Sequence, residues 1–143
     1  MVVSVHKPHL VLHYERRASG FYEAARDLEV LGEAKYLAAI GLLAVHGCIA
    51  LADAVLVAVE GNRGCGEDHA EVARRLRSWC SARRVDAQGI KHLEWLLSKK
   101  SHFSYAEATV TDEELQRSKL KMDQFFGWAF RTFPAVAQLP NDA

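Results

Sequence analysis

Apolar residues recur at helical spacing through most of this chain. Phe21, Ala24, Ala25, Leu28 and Leu31 fall on one face of a helix that the pattern makes clear from Ser19 onward, and Gly32 supplies its stop. A second helix is predicted from about Glu33 to Glu60, and so short a connection makes the two antiparallel neighbours. Between Tyr36 and Val59 only His46 and Asp53 are neither apolar nor glycine, so this helix must be covered on most sides and is the expected centre of the fold. A third helix is expected from about Glu67 to Ala82. Its stripe is Val72, Leu76, Trp79 and Cys80, and its acidic start (Glu67, Asp68) suits the helix dipole. Asp86 can cap a fourth, carrying Ile90, Leu93, Trp95, Leu96 and Leu97 and running to about Lys100. An irregular stretch, 101–110, follows. Thr111-Asp112-Glu113-Glu114 then reads as a capping box for a fifth helix with Leu115, Met122, Phe125, Phe126, Ala129 and Phe133 on its stripe, ended by Pro134.

The ends are less determined. Val2, Val3 and Val5 hint at a strand, Pro8 suits the first position of a helix, and residues 1–17 can equally be an arm. Residues 135–143 are expected to be a loose tail. The segment Gly61-Asn62-Arg63-Gly64-Cys65-Gly66 is a helix stop and turn. It lacks the Gly-Lys-Ser/Thr and the preceding strand of a phosphate-binding loop. With no internal repeat, the expectation is one domain over 1–143: an all-α, four- to five-helix up-down bundle with a long buried central helix.

Composition changes this picture in three places. The central run would span ~36 Å as a helix, enough to cross a bilayer. Its richness in Ala and Gly, Asp53 within it and amphipathic helices able to cover it favour a buried core helix and no membrane. No basic region leads into an apolar stretch at the N-terminus, so no signal peptide is expected. Cys48, Cys65 and Cys80 are odd in number and have no CxxC spacing, which points to free thiols in a reducing, cytoplasmic setting, with Cys65 the one placed to react. The 18 basic and 18 acidic residues balance, yet residues 74–100 carry a local +6 from Arg74, Arg75, Arg77, Arg83, Arg84, Lys91, Lys99 and Lys100 against Asp86 and Glu94. That patch is either a solvated helical surface or a face for phosphates.

Candidate chemistry is sparse. His46 and Asp53, seven apart, share a helix face but lie too far apart along it to pair, so each calls for a partner from another helix or a second copy. His6, His9 and His13 would share a face, and could bind a transition metal, only if residues 6–13 were helical. No metal or cofactor is expected. The Glu-x-x-His pairs of di-iron bundles, His-Glu-x-x-His and Gly-x-Ser-x-Gly are absent. The stretch 96–105 sets Lys99, Lys100, Ser101, His102, Ser104 and Tyr105 at a helix end beside the basic patch, where lysines also suit the dipole.

This stretch and the helix order together resemble the HEPN family. The likeness covers about residues 18–133. It rests on the Ala-rich second helix, Glu67-Asp68-His69, a helix ending in Leu-Leu-x-Lys-Lys, a Tyr shortly after, and a capped last helix ending in aromatics. The resemblance implies an all-helical homodimer associated with RNA or nucleotides, with a partner such as a nucleotidyltransferase or an antitoxin. Active ribonucleases of that family carry an Arg, a polar residue and a His five positions after the Arg. Here Lys100, Ser101 and Tyr105 take those places, and His102 is at the wrong offset. Lysine is a poorer bidentate phosphate ligand than arginine, and tyrosine a poor acid–base group near neutrality. The expectation is therefore a non-catalytic binding or accessory module, with Lys99, Lys100, Ser101, His102 and Tyr105 lining a groove near the dimer axis. The alternatives are a divergent metal-independent ribonuclease, the toxin of a toxin–antitoxin pair, and a purely structural dimeric adaptor.

Overall fold

Pro8 occupies the first turn of helix α1, where its missing N–H costs nothing. The computed structural model describes residues 6–62, 68–105 and 109–137. Helix α1 spans Pro8–Leu31 and ends at Gly32, whose φ of 68° is easy for glycine and whose N–H caps Glu29 O. Ten residues expected to be ambiguous, 8–17, are thus the opening turns of α1. Val11 and Leu12 are buried there, and this burial extends the helix back from Ser19.

A 3₁₀ turn, Ala34–Tyr36, leads into α2, Leu37–Glu60, which stops at Gly61 with φ 84°. Helices α3 (His69–Arg83), α4 (Ile90–Tyr105) and α5 (Asp112–Thr132) follow, then a single helical turn, α6 (Pro134–Ala137). The fold is the expected all-helical bundle, with no strand among the described residues. Helix α2 packs against every other element and is its axis. Within its most apolar window 78% of residues are buried inside the bundle, which is how a run long enough for a bilayer becomes a protein core. Each fully buried Leu, Val or Ile there contributes about 1.5–3 kcal/mol of transfer free energy.

Small residues set the spacing. A Cβ on Gly47 would lie 3.4 Å from Phe21 Cβ and 3.6 Å from Ala18 O, so α1 rests almost directly on the α2 backbone. At Gly41 a Cβ would stand 2.8 Å from the ring of Phe103. That ring, buried from α4, explains a second departure from expectation. Helix α4 does not stop at Lys100, because Phe103 anchors another turn and Ser104 Oγ donates to Lys100 O (2.8 Å).

Helix α3 ends in a Schellman motif. Val85 N–H bonds Cys80 O (2.9 Å) and Arg84 N–H bonds Ser81 O (3.3 Å), with Arg84 left-handed at φ 56° where glycine is usual. The capping box of α5 is complete: Thr111 Oγ1 accepts from Glu114 N–H, and Glu114 Oε1 accepts from Thr111 N–H, both at 3.1 Å. Cys48 and Cys80 are free and buried, and burial pushes the Cys48 thiol well up. Cys65, the valines at 2, 3 and 5 and residues 138–143 of the tail lie outside the described residues.

Candidate functional site

On α1, His13 and Arg17 are four residues apart and share a face. On α2, His46 and Asp53 share the face that meets them. Asp68 caps α3 by accepting from Glu71 N–H (3.2 Å), which makes His69 the first residue of that helix. These five side chains converge from three helices on one cleft of about 250 Å³. His46 and Asp53 therefore line one cleft with side chains from α1 and α3 of the same chain.

The cleft sets one guanidinium and one carboxyl among imidazoles and aromatic rings. Phe21 holds the rim, with the His46 ring centroid 5.9 Å from its own and the Arg17 guanidinium carbon 5.8 Å from its centre. Burial lowers the pKa of His46, and the charges of Lys100 and Arg17 lower it further, so its imidazole is neutral at pH 7. Asp53, 6% exposed, sets a buried carboxyl in the same cleft.

The same side chains do not make a metal centre. No group of three His, Cys, Asp or Glu able to hold an ion occurs among the described residues. His6 precedes α1 and its N–H donates to Ala58 O (3.1 Å), while His9 and His13 lie on the helix, so the three do not share one helical face.

Because α4 continues through Tyr105, the residues of the expected groove are wound around an axis at about 100° per residue. Lys99 and His102 share one side, Ser101 and Tyr105 another, and Lys100 lies between. Lys99 Nζ sits 5.5 Å from the centre of the Trp95 ring. His102 Nε2 is 2.6 Å from Glu114 Oε2, an ion-pair distance without hydrogen-bond alignment. Tyr105 is 84% exposed. The five therefore do not converge on one another, and Lys100 alone reaches toward the first cleft, through its field on His46.

The basic patch is partly neutralised. Arg74 pairs with Asp68 (3.3 Å), Arg75 with Glu60 (3.3 Å), and Arg77 with Glu94 (2.5 Å). Arg75 also donates to Asn62 Oδ1 (2.8 Å). Arg83 lies 4.4 Å over the Trp79 ring, and Arg84 terminates α3. Lys91 lines a different cleft, between α4 and α5. What the sequence withheld was Arg17 and His69 as companions of His46. Its only signal was the pair of polar residues on an otherwise apolar helix.

No protein-family model, no curated protein and no solved structure matches this chain.

Proposed function

We propose that the chain is a HEPN-like helical module that binds the phosphate of a nucleotide or of RNA without cleaving it, in the cleft of His13, Arg17, His46 and His69. The observation that carries this reading is the convergence of those side chains from three helices on one cleft, with Arg17 as its cation. Arg17 is the group suited to a phosphate, with a planar fork of donors. An imidazole N–H of His13 adds a hydrogen bond. The Phe21 ring offers a face for a base. Lys100, one of the lysines singled out from the sequence, adds long-range attraction.

Absence of cleavage is supported by the other end of α4. Lys100 and Tyr105 replace the arginine and histidine of the resembled ribonucleases, and His102 faces Glu114 instead of an open surface. A homodimer belongs to the same reading, and sedimentation velocity tests it.

The deciding experiment is salt-dependent binding of ATP and of short single-stranded RNA. Affinity should fall with rising salt. Arg17→Ala should weaken binding by about ten- to a hundredfold, the loss of one charge-assisted contact of 1.5–3 kcal/mol. RNA recovered after incubation should be intact. Equal binding by Arg17→Ala and wild type, or no binding at low salt, overturns the proposal.

A further inference from the structure

A hollow of about 370 Å³ opens between α1 and α5 and shares no residue with the cleft of His46. Helical spacing builds it. Tyr22 and Glu23 lie three and four residues after Ser19 on α1, while Phe126 and Gly127 stand in the same relation to Asp123 on α5, with Phe130 one turn further on. Each set therefore lines one side of its own helix.

Three aromatic rings make the wall. The centroids of Tyr22 and Phe126 are 4.8 Å apart with their planes at 44°, and those of Phe126 and Phe130 are 6.0 Å apart at 77°. Rings so inclined form a corner instead of a stack. Phe126 is nearly buried, whereas Tyr22 and Phe130 are half-buried. Phe130 stands out on its helix, because Phe125, Phe126 and Ala129 are all buried and this ring is left partly in water.

The charges around the rings have one sign. The hollow is lined by the carboxylates of Glu23 and Asp123 and by no Lys, Arg or His. Asp123 Oδ1 accepts from Tyr22 Oη (2.5 Å) and lies 3.9 Å from Arg26 Nη1. Glu23 is exposed and has no ion pair or hydrogen bond among the described residues. Arg26, outside the hollow, holds its guanidinium carbon 5.6 Å from the centre of the Tyr22 ring. The fold thus already sets one cation against this aromatic wall, and the carboxylate of Glu23 is left unanswered.

Aromatic faces and carboxylates together select a cation, and they select among cations. A primary ammonium brings N–H groups and tightly held water that rings cannot replace. A quaternary ammonium has no N–H to satisfy and wears its charge under methyl groups, which pack on the rings while the charge meets their negative faces. We propose that the α1–α5 hollow binds a quaternary ammonium group, its methyls against Tyr22, Phe126 and Phe130 and its charge answered by Glu23 and Asp123. Choline-like small molecules and trimethylated lysine side chains share this chemistry. The site takes the opposite charge to the phosphate cleft, so the two readings stand or fall separately.

The test titrates choline, and a short peptide carrying trimethyllysine, into the intact protein. The control is the neutral alcohol in which a tert-butyl carbon replaces the nitrogen of choline. Ligand methyl signals are followed by proton NMR. They should move upfield in the ring currents, and choline should bind about tenfold more tightly than the alcohol. Phe130→Leu removes a ring and keeps an apolar side chain, and Glu23→Gln changes only the surface. Each should weaken choline binding about three- to tenfold. Tighter binding of the peptide assigns the site to methylated lysine, and tighter binding of choline to a small molecule. Methyl signals that stay still for both cations at about 50 mM, where even a millimolar site is filled, overturn the proposal. So does an alcohol bound as tightly as choline, or binding indifferent to both substitutions.

Discussion

Arg84 shows how one side chain can be read for charge and matter for its backbone. In sequence it belongs to a basic run. In the fold it occupies the left-handed position that closes α3, with φ 56° and ψ 39°. A non-glycine residue there costs roughly 1–2 kcal/mol, while glycine would add up to about 1 kcal/mol of unfolded-state entropy. Arg84→Gly should therefore raise stability by about 0.5 kcal/mol in urea unfolding. Lower stability would mean that the guanidinium makes up the difference through contacts of its own. His46 carries a related lesson. A histidine on an apolar helix is usually core furniture; its neighbours Arg17, Phe21 and His69 come from distant sequence positions and turn it into the wall of a cleft.

Among the helices, α5 is the most locally determined. Its capping box closes as the four-residue motif demands, and hydrogen bonds from Thr111 hold the Glu114 carboxyl below its ordinary range, helped by the charges of His102 and Lys99. Thr111→Ala should cost about 1 kcal/mol, measurable by urea or thermal unfolding. This start and the stops at Gly32 and Gly61 were legible because each depends on residues a few positions apart. The central position of α2 was legible because an all-apolar helix has one solution in a water-facing fold. The end of α4 was not. Ser101, Ser104 and Tyr105 look like a loop, and the ring that extends the helix, Phe103, is held by Gly41 on another element. The start of α1 was obscured in the same way, since Val11 and Leu12 acquire their meaning only when packed. Both clefts are assembled from separate helices, so their residues were visible singly and their convergence was not.

The bundle as a whole should lose stability in two stages as pH falls. His46 and His92 have folded pKa values below the ordinary 6.5, chiefly through burial. The unfolded chain therefore takes up protons first, and stability declines as pH drops below about 6.5. Glu29, lowered by its bond to Lys119, and Glu114, lowered by Thr111, act below their ordinary 4.5. Their contribution is present above that value and is lost as pH falls through their folded pKa. Chemical unfolding between pH 4 and 8 should show the first slope, and a His46→Gln, His92→Gln variant should flatten it. Helix α2 has one more consequence, which concerns the order in which the chain is made. It leaves the ribosome after α1, while α4 and α5, which pack against it in the finished fold, are still untranslated. A nascent chain paused at that moment exposes a long greasy rod to water, the kind of segment that holdase chaperones capture and that stalled synthesis turns into aggregate.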